Sequence, residues 1–96
     1  MNKIHLIRTS AFEKNSYASC IDILQESDVI VLLDDGCYNL HHPLCESALG
    51  IIGADSLYVI EHHCTARALI PRNAKTISMS ELVELITQST GTITWQ

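Results

Sequence analysis

The stretch DVIVLLDDG, residues 28–36, decides how the rest of the chain is read. Its apolar run at 29–33 does not alternate with polar residues. A strand that shows one face to water alternates, whereas a strand covered on both faces is apolar throughout, and that is the signature of a parallel sheet with helices on either side. Asp34, Asp35 and Gly36 then end the run with turn residues.

The flanking sequence supports the same architecture. KIHLIR (3–8) reads as a first strand. Ser10 with Glu13 three residues on has the spacing of a capping box, and Tyr17, Cys20, Ile21 and Leu24 fall on one face of the helix it would open. Downstream, Pro43 suits a helix start, Leu44, Cys45, Ala48, Leu49 and Ile52 give that helix an apolar face, and Gly53 ends it. SLYVI (56–60) reads as a third strand, EHHCTARALIP (61–71) as a polar loop with a short helical piece, and KTISM (75–79) as a fourth short strand. Ser78 with Glu81 offers a second capping box for a helix carrying Leu82, Leu85 and Ile86, stopped by Gly91. TITWQ (92–96) closes the chain as a short strand with its threonines outward. Alternating strands and helices predict a three-layer α/β/α domain, residues 1–96, with a mostly parallel sheet of about five strands. The pattern leaves the strand order open.

Composition bounds the function. The chain has 96 residues, 47% of them apolar, and a formal net charge of -5. The six Lys and Arg are scattered. That balance argues against a nucleic-acid-binding surface, because phosphate recognition needs clustered cations. The longest apolar run is far too short for a membrane span. Lys3 is followed by an apolar stretch broken by His5 and Arg8, unlike a secretory leader, so a cytoplasmic location is expected. Cys20, Cys37, Cys45 and Cys64 are then expected to be reduced, and the absence of a CxxC pair points away from a redox motif or zinc ribbon. No cofactor-binding loop is present, since Gly36, Gly50, Gly53 and Gly91 are scattered.

In an open parallel sheet, ligands bind at the carboxyl ends of the strands. Residues 8–10, 34–38 and 61–67 are expected to reach that edge. Cys20, deep in its helix, reads as a small buried apolar side chain. It becomes a better thiolate candidate only where the helix starts at Asn15 or Ser16, which brings it closer to the helix N-terminus. Cys64 has Arg67 one helical turn away, a cation that favours a thiolate, and His62 and His63 beside it. An independent thiol enzyme built on these residues is therefore one reading. Cys37, His41, His42 and Cys45 resemble a ligand set, but their spacing fits no zinc pattern, so no metal site is assigned.

RTSAFEKNSYASC (8–20) followed by VIVLLDDGCY (29–38) resembles the DsrH/TusB family of sulfur-relay proteins. Ala66-Arg67-Ala68 stands where that family usually has Ala-Arg-Gly, and Trp95 supplies its aromatic residue near the end of the chain. The resemblance implies a subunit of a heterohexamer with DsrE/TusD-like and DsrF/TusC-like sister chains. Sulfur passes through that complex as a cysteine persulfide to a small downstream carrier, with the main sulfur-carrying cysteine on the DsrE/TusD-type chain. It further implies service to 2-thiolation of the tRNA wobble uridine in the TusB branch, or to sulfur oxidation in the DsrH branch. On this resemblance Cys20 is an auxiliary sulfur-handling residue, and Asp35, Gly36 and Arg67 mark the binding loop edge. Cys64 is a weaker candidate that rests on its local setting, because its spacing to Arg67 is too short for the sister chain's sulfur-carrying position. Cys37 and Cys45 have no counterpart in the resemblance. Ala68 in place of glycine is expected to alter the loop's backbone turn.

Overall fold

A computed structural model describes residues 3–96. Five strands, β1 (Lys3–Ile7), β2 (Val29–Leu32), β3 (Leu57–Ile60), β4 (Lys75–Ile77) and β5 (Gly91–Trp95), form one sheet in the order β4-β3-β2-β1-β5. Every pairing is parallel. The helices are α1 (Ser16–Ile23), α2 (Leu44–Ile52), α3 (Glu61–Ala66) and α4 (Met79–Gln88). The chain steps in one direction from β1 to β4, then returns through α4 to the far edge beside β1. Crossovers of one hand place the first three connections on one face and the returning connection on the other.

The packing follows that division. Ile7, Ile30, Leu32, Leu57 and Val59 point to the face covered by α1, α2 and α3, where Tyr17, Cys20, Ala48 and Cys64 close the larger core. Ile4, Val29, Val31, Leu33, Ile60 and Ile77 point to the other face, where Leu82 of α4 seals a smaller one. All four residues of β2 are buried, as its unbroken apolar run requires of a central strand covered on both sides. Thr92 and Thr94 of the edge strand β5 face outward and are exposed. The three-layer α/β/α architecture thus stands, with a sheet that is parallel throughout.

Two local expectations are corrected. The Ser10–Glu13 pair does not open a helix. The Ser10 hydroxyl accepts from Phe12 N at 3.2 Å, and Glu13 N and Lys14 N both donate to Ser10 O, forming a turn after which α1 begins at Ser16. The cause lies far along the chain. Asn39, fully buried, accepts from Ala11 N at 2.7 Å and donates to Thr9 O at 3.1 Å, so the backbone around Ser10 is already committed. The second correction concerns Asp34-Asp35-Gly36, which starts a 3-10 helix, Asp34–His41, rather than a simple turn. By contrast the Ser78–Glu81 capping box forms as expected: Glu81 N donates to Ser78 Oγ at 3.1 Å and Ser78 N donates to Glu81 Oε1 at 3.0 Å. Among the described residues, no helix is long and apolar enough to cross a membrane.

Candidate functional site at the carboxyl edge

Because the sheet is parallel throughout, β1, β2 and β3 all end at one edge. The polar residues that follow them meet there. Arg8 Nε donates to Asp34 Oδ2 at 2.8 Å, and Asp34 N donates to His63 Nδ1 at 2.9 Å. That bond leaves the other ring nitrogen of His63 to carry its proton. Arg67 clamps Asp35 through Nε at 3.0 Å and Nη2 at 2.9 Å, and its Nη1 donates to His63 O at 3.3 Å. The three segments expected at this edge are thereby joined into one charged ledge. Beside it lies a cleft of about 390 Å³ lined by Ser10, Phe12, Glu13, Asp35 and Tyr38.

The backbone beneath the ledge is specialised. Asp34 has φ +51°, a left-handed conformation that Asp tolerates better than most residues. Gly36 is required by close approach: a Cβ there would stand 1.9 Å from the carbonyl oxygen of Ile7. That same oxygen accepts from Leu33 N, so the 3-10 segment is laid directly against the end of β1.

Ala68 occupies the turn after α3, at φ +53°. Leu69 N donates to Cys64 O at 2.9 Å and Ala68 N to Thr65 O at 3.1 Å. This is the Schellman arrangement, in which the left-handed position is usually glycine. The alanine therefore leaves the turn in its usual form and takes on the strain that glycine would avoid, which answers the expectation that the substitution alters the turn.

The four cysteines are all unpaired and all buried. Cys20 projects from α1 into the larger core with no exposed surface, beside Tyr17 and towards Asp28, which precedes β2 at the amino end of the sheet. Burial, with a smaller contribution from the Asp28 charge, pushes its thiol up to about 12. Cys64 lies under the ledge. Burial raises its thiol, while a hydrogen bond from Cys37 and the Arg67 charge pull the other way. Cys37 is pushed up to about 12, chiefly by burial and then by the charge of Cys64. Cys45 is raised by burial and by Glu46.

The structure thus brings Asp35, Gly36, Arg67 and Cys64 together and sets Cys20 apart from them. It also divides the supposed ligand set. His41, His42 and Cys45 line a separate cleft of about 400 Å³ with Arg72 and Asn73, whereas Cys37 is fully buried in the larger core with its thiol 3.7 Å from Leu32 O. Among the described residues no group of three or more His, Cys, Asp or Glu side chains is placed to hold a metal ion.

Residues that sequence reasoning passed over include Asn39, the buried organiser of the first loop, and the His63–Asp34 link. It also passed over a buried network at the opposite end of the site face. There His5 Nε2 pairs with Asp28 Oδ2 at 2.9 Å while His5 Nδ1 accepts from Trp95 Nε1 at 3.1 Å, tying β1, the approach to β2 and β5 together. An isolated His inside an apolar strand run, with Asp directly before the next run, is the signal that was available.

Comparison with known proteins places this geometry. The model of the family described as DsrH like protein matches residues 9–91. No curated protein matches significantly. Among solved structures, the solution NMR structure of protein Tm0979 from Thermotoga maritima superposes with a TM-score of 0.64, covering 90% of this chain and 92% of that one at 18% sequence identity, a likeness of fold.

Proposed function

The chain belongs to the DsrH-like protein family, and from that premise we propose that it is a mainly structural subunit of a cytoplasmic persulfide sulfur-relay complex. Its partners in that reading are DsrE/TusD-like and DsrF/TusC-like sister chains and a small downstream sulfur carrier. The complex serves 2-thiolation of the tRNA wobble uridine, and Cys20 takes an auxiliary sulfur-handling role. The observation that carries the reading is the family match over residues 9–91, which spans Cys20, Asp35, Gly36 and Arg67.

The thiols support the structural emphasis. A persulfide carrier attacks as a thiolate and needs an electropositive, partly open setting. Here every thiol is buried and burial raises each of them, so the isolated chain is poorly suited to accept or donate sulfur. The same facts weigh against an independent thiol enzyme built on Cys64. Exposed apolar side chains, among them Phe12, Ile70 and Val83, offer contacts to sister chains. The one feature that favours sulfur oxidation as the pathway served is Cys20 itself, a position typical of DsrH-type chains.

Purification from native cells under mild, non-reducing conditions tests the assembly. Intact mass spectrometry is expected to find two homologous small α/β chains co-eluting in equal amounts, with added sulfur on a sister chain. A chain that elutes alone refutes it. Deletion then separates the pathways: loss of 2-thiouridine from tRNA supports thiolation, and unchanged 2-thiouridine with impaired sulfur oxidation refutes it.

A further inference from the structure

The two edges of the sheet differ. At one edge β4 is three residues long, and its Lys75 pairs with Asp55 at 3.7 Å. A short edge strand carrying lysine resists pairing with another chain. At the other edge β5 runs five residues, GTITW, and the stretch 89–96 contains no Lys, Arg, Asp, Glu or Pro. Its threonines, isoleucine and tryptophan are strong strand formers. Among the described residues no strand lies outside β5. The chain thus guards one edge and leaves the other open.

The open edge presents its backbone groups at defined places. Arg8 N donates to Trp95 O at 3.1 Å. In a parallel pair, alternate residues of a strand turn both N–H and C=O to the same neighbour. Gly91, Ile93 and Trp95 therefore bond toward β1, while Thr92 and Thr94 direct theirs out of the sheet. Beside this edge, Ser16 Oγ of α1 donates to Gln96 O at 2.8 Å. Ser19 and Ile23 follow Ser16 at i+3 and i+7, on the same flank of the helix. Ile23 is 54% exposed, so an apolar side chain stands uncovered on the flank next to the open edge.

We propose that β5 is a self-association edge, to which a second copy of this chain adds its own β5 antiparallel about a two-fold axis through Ile93. The occupant follows from the register, because the edge is complementary to itself. Thr92 lies opposite the partner's Thr94, and each such pair exchanges both of its N–H···O bonds, so every outward-facing group is satisfied. Ile93 meets the partner's Ile93 in the closer, non-bonded pairing. Gly91 faces the partner's Trp95, where the missing side chain leaves room for an indole. The axis is perpendicular to the sheet, so the α1 flanks of both copies lie on one face of the joined sheet. Each copy carries a net charge of -5, and the uncharged strand seam is a place where two copies meet without opposing like charges. One strand and one helix flank make a small interface, under about 1,200 Å² in total, the size of weak and transient contacts. The dimer is therefore reversible, and its population rises with protein concentration.

The test is sedimentation velocity of the full chain over a wide range of concentration, with amide hydrogen exchange read by NMR at both ends of it. The weight-average mass is expected to rise from 10.7 kDa toward twice that value. Exchange at the Thr92 and Thr94 amides is expected to slow in step, while the Ile93 and Trp95 amides, already bonded to β1, stay protected throughout. Thr94→Pro removes one outward N–H at an edge position where proline is tolerated, and is expected to abolish the rise in mass while circular dichroism keeps the wild-type form. A chain that remains monomeric at every concentration leaves the edge to some other occupant and overturns the proposal. A dimer in which Thr92 and Thr94 exchange as fast as in the monomer is seated elsewhere and overturns it equally. The wild-type amides decide between these results, whatever the folding of Thr94→Pro.

Discussion

Replacing Ala68 by glycine is expected to stabilise this protein, against the usual effect of introducing glycine. Ala68 sits at φ +53° in the left-handed position that follows α3, and its side chain is exposed, so removing the methyl group gives up little packing. Holding an L-residue in that region costs about 1–2 kcal/mol, because Cβ crowds the following carbonyl oxygen. Against this, glycine is more mobile in the unfolded chain, which offsets about 0.4–1 kcal/mol. The balance is a gain of about 0.5–1 kcal/mol, or roughly 2–8 °C in melting temperature for a domain of this size. The two Schellman hydrogen bonds, from Ala68 N and Leu69 N, are unaffected because both are made by backbone. Thermal and urea unfolding of Ala68→Gly beside Ala66→Gly provides the check. Ala66 is the last residue of α3 and exposed, and glycine in a helix costs up to about 1 kcal/mol relative to alanine. Opposite signs two residues apart are expected. A fall in stability for Ala68→Gly as large as that for Ala66→Gly would refute the reading of the turn.

Gly36→Ala is expected to lose at least about 3 kcal/mol, at the upper end of overpacking costs, because the new Cβ meets the Ile7 carbonyl oxygen at 1.9 Å and the atom in the way is backbone. A melting temperature within two or three degrees of wild type, by circular dichroism, would show that the approach is not tight. Asp28 is held below its ordinary value: burial acts to raise it, but hydrogen bonds from His5, Gln25 N and Lys3 N outweigh that. A depressed folded value means that its contribution is present above the unfolded pKa of 3.8 and is lost as pH falls through the folded value. Asp28→Asn should therefore be less stable at neutral pH and show a flatter acid limb, and an unchanged limb would count against the network. Cys20 has the opposite sign. Its folded value of about 12 against 9.0 unfolded means that stability is full below pH 9 and declines as pH rises toward 12. At about 1.4 kcal/mol per unit, roughly 2 kcal/mol is lost by pH ~10.5. Cys20→Ala should remove that share of the alkaline slope in urea titrations at increasing pH, and parallel slopes would refute it.

What was legible in the sequence was what depends on near neighbours. The run at 29–33 is buried on both faces because each of its side chains is apolar, whatever strand lies beside it. The Ser78–Glu81 box closes because both its hydrogen bonds span three residues. The Ser10–Glu13 pair has the same spacing and fails, because Asn39 takes hold of the backbone at Thr9 and Ala11 from nearly thirty residues away. The same holds at the ledge. Arg8, Asp34, Asp35 and Arg67 could be assigned to one edge from the parallel topology alone, but their pairing depends on the 3-10 segment. That segment depends in turn on the fit of Gly36 against Ile7, a contact between the 3-10 segment and the end of β1. The position of β5 beside β1 is likewise a tertiary choice, fastened by the Trp95–His5 hydrogen bond across ninety residues of sequence.

The thiols give the sharpest contrast between local and tertiary reasoning. Helix α1 begins at Ser16, the late start that was expected to make Cys20 more reactive. A helix N-terminus favours an anion by about 0.3–1 kcal/mol, and the effect fades within the first turn. Moving the Cys20 thiol from 9.0 to about 12 corresponds to roughly 4 kcal/mol at 1.36 kcal/mol per unit, and burial is its largest cause. Desolvation therefore overwhelms the dipole, and the later start changes nothing. Orientation decides the matter, because the face of α1 that carries Tyr17 and Cys20 lies on the sheet. Under the proposed relay, sulfur handling at Cys20 therefore requires α1 to lift or turn, a displacement assigned in that proposal to the docking of a sister chain. In the proposed relay, reactivity at Cys20 is accordingly a property of the assembled complex and is absent from the isolated chain.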